Sequence, residues 1–197
     1  MEYYFGQKQT PFPATMFPTI QSLCQAVLQR FSMIKLRESI QGKVSTGEQS
    51  RPLEAQYQDE FYRAFSSIMP PGVAISSEWS RHGNGRFDFW IPYQGWGIEL
   101  LRDHSRVTER CERFKPGGRY YPWIESGLLK DWIIIDCTTT VPAESTVKHP
   151  YAHRIANTMI GHPDRRLWRA IFQDEYCQLL LLDHENTRIA GPVVLAS

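Results

Sequence analysis

Between Gly85 and Asp103 (GRFDFWIPYQGWGIELLRD), apolar and polar positions alternate with period two on either side of a turn. The first run puts Arg86, Asp88 and Trp90 on one face, with Phe87, Phe89 and Ile91 on the other. Pro92, Tyr93, Gln94 and Gly95 have turn chemistry. The second run puts Trp96, Ile98 and Leu100 on one face, with Gly97, Glu99 and Leu101 on the other. Two short strands are predicted, each carrying one carboxylate where an apolar residue is expected. A charge is rarely buried unless it is paired or holds a metal. Asp88 and Glu99 are therefore either strand-edge partners of nearby arginines or a pair converging on one hard cation, which prefers oxygen ligands.

The rest of the pattern frames this ribbon. Residues 1–18, rich in aromatics and prolines, read as an arm. Ile20, Leu23, Val27, Phe31 and Ile34 follow the helical repeat and predict a helix from Thr19 to about Ser39, with Thr19 as N-cap. Residues 41–50 read as a loop. A second helix is expected over Arg51–Met69, with Pro52 in its first turn and Leu53, Tyr57, Phe61, Ala64, Phe65 and Ile68 as its apolar stripe. Glu60 borders that stripe, whereas Glu54 and Gln58 lean further out. Val73–Ser80 reads as a strand and residues 81–84 as a turn. Val107, Cys111 and Phe114 predict a helix opposed by Arg106, Arg110, Glu112 and Arg113, stopped at Pro116–Gly118. Arg119–Leu129 predicts a short helix, broken at Pro122.

Asp131–Thr138 (DWIIIDCT) is a continuous apolar run, typical of a strand covered on both faces. Residues 139–165 read as an excursion and Leu167–Phe172 as a strand. Cys177–Asp183 and Ile189–Leu195 read as a hairpin turning at His184, Glu185 and Asn186. The sum is an α/β or α+β chain: a mixed sheet flanked by helices, with an added N-terminal helix (residues 1–48) ahead of a main domain (residues 49–197) and a C-terminal hairpin.

Composition narrows the chemistry. Twenty-two basic residues against 21 acidic ones leave a formal charge of +1, so any phosphate-binding patch must be local. No apolar run reaches membrane-spanning length and no signal-peptide pattern opens the chain. Cys24, Cys111, Cys137 and Cys177 lack C-x-x-C spacing, which argues against zinc and for free thiols in a reducing, intracellular setting. No Gly-rich phosphate loop and no nucleophile elbow is present. Arg106, Arg110, Arg113, Lys115 and Arg119 cluster beside Tyr120, Tyr121 and Trp123. They form either a solvated helix face paired with Glu109 and Glu112 or a phosphate-tracking surface. Glu78 reads as a supporting residue. Asp136 reads as capping a strand end or orienting an arginine, and His104 as a helix cap. His149, His153 and His162 form no tight metal-ligand pair.

The ordered set EFYR (Glu60–Arg63), SSEW (Ser76–Trp79), GRFDFWIP, WGIELLRD, RFKPGGRY (Arg113–Tyr120) and KDWIIIDC (Lys130–Cys137) resembles the C-terminal nuclease-like domain of Crinkler-type proteins of fungi and oomycetes. That family is placed in the restriction-endonuclease-like PD-(D/E)xK superfamily, and the likeness runs from about Gln49 to Asp183. It implies a Mg²⁺-dependent (or Mn²⁺-dependent) endonuclease acting on DNA. The implied metal ligands are Asp88, Glu99 and Glu60. The implied phosphate contacts are Arg86, His104, Arg113, Lys115 and Arg119. The superfamily lysine, two positions after the glutamate, is here Leu101. Arg102 replaces it only if the strand bulges or ends there; otherwise Arg113, Lys115 or His104 supplies the cation from beyond the strand. An arginine there acts electrostatically, since it does not deprotonate. The resemblance also implies an effector working inside a host cell, in its nucleus. The alternative is a catalytically inactive member that binds nucleic acid or a host protein. Tyr3, Tyr4 and Phe5 are a weak pointer to a protein partner.

Overall fold

The computed structural model describes residues 10–41, 54–80, 85–140, 166–173 and 175–195. The expectations for Tyr3–Phe5, the 42–50 loop, Pro52, Leu53, the 81–84 turn, His149, His153 and His162 lie outside these residues. The elements run α1 (Ile20–Leu28), α2 (Met33–Gln41), α3 (Glu54–Ile68), β1 (Ser76–Trp79), β2 (Phe87–Ile91), β3 (Trp96–Arg102), α4 (Val107–Glu112), α5 (Tyr121–Glu125), β4 (Asp131–Thr138), β5 (Leu167–Gln173), β6 (Gln178–Leu182) and β7 (Arg188–Val194). The seven strands form one sheet in chain order. β3 pairs in parallel with β4, and β4 with β5; every other neighbouring pair is antiparallel. A mixed sheet flanked by helices is thus the observed class.

The sheet separates two cores. On one face α1, α2 and α3 pack Leu23, Val27, Phe61 and Phe65 against Phe89, Ile98, Ile135 and Phe172. On the other, α4 and α5 pack Val107, Cys111, Phe114 and Trp123 against Trp90, Leu101, Trp132 and Ile134. β4 contributes to both, which is why its run is apolar without alternation. The N-terminal helices share the first core with the sheet rather than standing apart from it.

Several elements differ from the sequence expectation. The N-terminal helix is two helices, broken between Leu28 and Met33. Phe31 in the break is fully buried and stacks on Phe172 with centroids 5.3 Å apart, which holds the chain off the helical path. Ile34 is consequently turned out to 43% exposure. Thr19 does cap α1, in reciprocal bonds with Ser22. Pro122 opens α5 instead of breaking a helix, because the first turn needs no N–H from it. Phe87 departs from strict alternation: its ring joins Trp90, Tyr120 and Trp123 on the α4–α5 side. Gly97 makes the slot, since a Cβ there would come within 2.6 Å of the Phe87 ring.

Candidate functional site

The register pairs Phe89 with Ile98 and Trp90 with Gly97, so its next step sets Asp88 opposite Glu99. The paired register with β3 stops short of that step. Asp88 Oδ2 instead accepts the backbone N–H of Leu100 at 2.7 Å, filling a place a strand carbonyl would take. Glu99 is fully buried. Its Oε1 lies 2.6 Å from the Tyr120 hydroxyl, and its Oε2 accepts from Arg110 Nη1 at 2.5 Å. The same hydroxyl lies 2.6 Å from the Arg86 carbonyl oxygen, so its single proton serves one acceptor at a time.

These contacts follow from how α4 sits. Burying Val107, Cys111 and Phe114 leaves Arg106, Arg110 and Arg113 at helical spacing along the adjoining face. That face and the N-terminal end of α3 enclose a cleft of about 580 Å³ lined by Glu54, Ala55, Gln58, Arg86, Asp88, Arg106, Arg110, Arg113 and Arg119. Asp88, Ala55 and Gln58 also line an adjoining hollow of about 440 Å³ with Asp59, Tyr62, Ser77 and Glu78. The two form one groove along α3, with Asp88 at their junction. In the larger cleft five guanidinium groups face two lining carboxylates, so that end of the groove is locally basic on a nearly neutral chain, whereas Asp59 and Glu78 leave the adjoining hollow acidic. Surface carboxylates balance some of this: Glu78 pairs with Arg86 at 3.2 Å, and Glu109 with Arg106 at 3.2 Å and Arg113 at 2.8 Å.

Electrostatics sets Asp88 and Glu99 apart. Burial pushes Asp88 up to about 6, against the opposing pull of the Leu100 N–H and the Arg110 charge. Burial, followed by repulsion from Asp88, pushes Glu99 up to about 7, against Arg110 and the Tyr120 hydrogen bond. A further positive charge between them would favour both ionised forms.

The structure does not bring every expected site residue here. Glu60 is turned toward the N-terminal helices. It is 4% exposed and accepts from the Ser32 N–H at 2.5 Å and from Arg63 Nε at 2.8 Å and Nη2 at 2.5 Å. The α3 carboxylates at the groove are Glu54 in the cleft and Asp59 in the adjoining hollow, on a helix face that also presents Ala55, Gln58 and Tyr62; Glu60 lines neither. Arg102 alternates away from Glu99 and pairs with Asp103 at 3.5 Å; β3 carries no bulge that would redirect it. His104 does not cap α4, whose N-cap is Arg106 without a side-chain bond. Its imidazole Nδ1 instead meets Asp136 Oδ2, and its backbone N–H donates to Asp136 Oδ1 at 2.8 Å. Lys115 pairs with Glu112 at 2.6 Å and lines a separate apolar cavity with Phe114 and Trp132. Arg86, Arg113 and Arg119 do line the cleft.

Sequence reasoning missed Arg110, Tyr120 and Glu54 as the neighbours of the carboxylate pair. The helical spacing of Arg106, Arg110 and Arg113 was the available signal for the first. Nothing in the sequence singled out Tyr120 over Tyr121.

Among the described residues, no group of three or more His, Cys, Asp or Glu side chains is gathered as a metal cage. The arrangement is a carboxylate pair with Glu54 across the Arg110 guanidinium, 3.7 Å from its Nη2. The cysteines are free thiols; Cys24, Cys111 and Cys137 are buried and Cys177 half-buried. No described helix is long and apolar enough to cross a membrane. Compared with family models, curated proteins and solved structures, the chain gives no match in any of the three.

Proposed function

We propose that the groove binds a DNA backbone and that Asp88 and Glu99, aided by Glu54, hold Mg²⁺ or Mn²⁺ for phosphodiester hydrolysis. The carrying observation is Asp88 in the lining of an arginine-rich cleft, with the buried Glu99 held by Arg110 of the same cleft. Every candidate ligand is a carboxylate oxygen, the donor a hard cation prefers, but among the described residues no three such side chains are gathered and Arg110 already holds Glu99. The metal, when bound, neutralises charge developing on the scissile phosphate and acidifies the attacking water.

The chain's own residues do the rest. Arg86, Arg106, Arg113 and Arg119 contact phosphates and set the register of the strand without reading its sequence. Tyr62, 48% exposed at the far end of the groove, offers a ring to a base. With Leu101 buried in the second core, Arg110 is the cation that meets Glu99 among the described residues. A guanidinium contributes electrostatically and not by proton transfer. This reading is that of a restriction-endonuclease-like, Crinkler-type effector domain, for which a host nucleus is the fitting compartment.

Supercoiled plasmid with Mg²⁺ or Mn²⁺ tests it. Nicking is expected from the native chain and not from Asp88→Ala or Glu99→Ala; equal nicking by all three would assign the activity to a contaminant. The Arg110–Glu99 ion pair favours a second reading, an inactive nucleic-acid-binding member in which the arginine permanently fills the cation position. Salt-dependent DNA binding without cleavage in any metal selects that reading. Capture of a host protein with no DNA binding at low salt points to a protein-docking domain.

A further inference from the structure

We propose that the cavity lined by α4, α5 and β4 is a binding site for a small aromatic acid carrying one carboxylate. The cavity measures about 240 Å³ and shares no lining residue with the arginine cleft. It stands apart from that cleft and needs neither metal nor DNA.

The lining is largely apolar and partly flat. Phe114 and Trp132 stack with ring centroids 3.6 Å apart, and Ile124 and Leu129 add aliphatic contact. Burial pushes the lining Cys111 thiol up to about 12, so it is neutral and serves as packing surface. A dry apolar cavity of roughly 150 Å³ accepts a benzene-sized molecule. This larger one therefore suits one ring, or two fused rings, with a short arm. It is too small for a nucleotide or a long acyl chain.

Charge selects the arm. Lys115, Lys130 and Arg166 line the cavity, and among the described residues no acidic side chain does. Two of these cations are matched from outside the lining, Lys115 by Glu112 at 2.6 Å and Arg166 by Asp131 at 3.4 Å. Lys130 is exposed and meets no carboxylate among the described residues. One positive charge is left over, which suits one carboxylate. Arg166 stands 4.9 Å from the centroid of the Trp132 ring. Burial works against its charge more strongly than Asp131 supports it, so an incoming anion meets a cation short of counter-charge. The Trp132 Nε1–H is buried without an acceptor among the described residues, a costly state for a donor. A carboxylate drawn to Arg166 arrives beside that indole and can supply the acceptor.

Isothermal titration calorimetry of the full chain with benzoate, phenylacetate and 2-naphthoate tests this, with the matching amides and acetate as controls. At least one acid is expected to bind one-to-one with a Kd below about 1 mM. Its amide, and acetate, are expected to bind about tenfold more weakly or worse. Lys130→Gln should weaken the acid about fivefold to tenfold and leave the amide unchanged. Ile124→Trp, which fills the cavity, should abolish binding of the acid. Lys130 is exposed, so its variant decides the matter should Ile124→Trp fail to fold. No saturable binding of any acid overturns the proposal, as does an amide that binds as tightly as its acid. Unchanged acid affinity in Lys130→Gln, or in folded Ile124→Trp, overturns it equally.

Discussion

The carboxylate of Asp88 accepts the backbone N–H of Leu100 at 2.7 Å, which ties the acidic side chain of one strand into the ladder of its neighbour. That bond fixes the orientation of Asp88 and spends one of its oxygens, leaving the other toward the groove. The consequences of this arrangement are open to measurement.

The first concerns pH. Asp88 is lifted to about 6 and Glu99 to about 7, chiefly by burial. A carboxyl raised on folding contributes stability that is full below its unfolded value, about 4, and lost as pH rises through its folded value. The metal-free chain should therefore lose stability between about pH 4 and pH 7, by something on the order of 3 kcal/mol for Glu99 alone. Denaturant titrations across that range should show a flatter profile for Glu99→Gln than for the native chain. Metal binding needs both carboxylates ionised, so cleavage should rise with pH across the same upper window, about pH 6–8.

Glu60 separates likeness from geometry. It anchors the break between α1 and α2 through Ser32 and Arg63, away from the cleft. Glu60→Ala should cost about 2–3 kcal/mol, lowering the thermal midpoint by roughly 4–10 °C. The folded protein should keep its cleavage rate. Glu54→Ala should do the opposite, with a small change in midpoint and a weakened metal affinity in a calorimetric titration.

The arginines of the groove should be visible in salt. Arg106→Ala or Arg119→Ala should each reduce the slope of log affinity against log salt by about one. Lys115→Ala should leave it unchanged, since that side chain lines the apolar cavity on the other side of α4. Fluorescence anisotropy with a labelled duplex at several salt concentrations measures all three.

The connection from β3 to α4 holds Asp103, His104 and Arg106 at positive φ. Each such non-glycine residue costs on the order of 1 kcal/mol or more. Asp136 holds the turn by accepting from both the backbone and the imidazole of His104, and Thr138 adds a bond to Asp103 at 2.9 Å. Taking the acceptor from a part-buried donor typically costs about 1–3 kcal/mol, and Asp136→Ala should lose that order of stability. It should also weaken duplex binding, because the turn aims Arg106 at the cleft.

The ribbon and its two acids were legible because alternation on a paired strand is a period-two signal needing no tertiary knowledge. β4 was legible for the converse reason, an unbroken apolar run. The break between α1 and α2 was not: Phe31 keeps the helical repeat in sequence and leaves the helix only because Phe172, far along the chain, offers it a stacking partner. Glu60 misled for a related reason. An acid beside the apolar stripe of a helix has to meet something buried, and periodicity cannot say whether that is the sheet site or another helix. Arg110 was hidden among five basic residues, and only the docking angle of α4 decides which of them meets Glu99.

The second core has a consequence for observation. Tyr120, which holds Glu99, stacks on Phe87 at 4.3 Å and on Trp123 at 5.2 Å, and Trp123 in turn meets Trp79 at 5.1 Å. A change at one carboxylate is thus wired, ring by ring, into the ultraviolet emission of two indoles. The molecule carries its own optical gauge of what occupies the groove, readable without any attached dye.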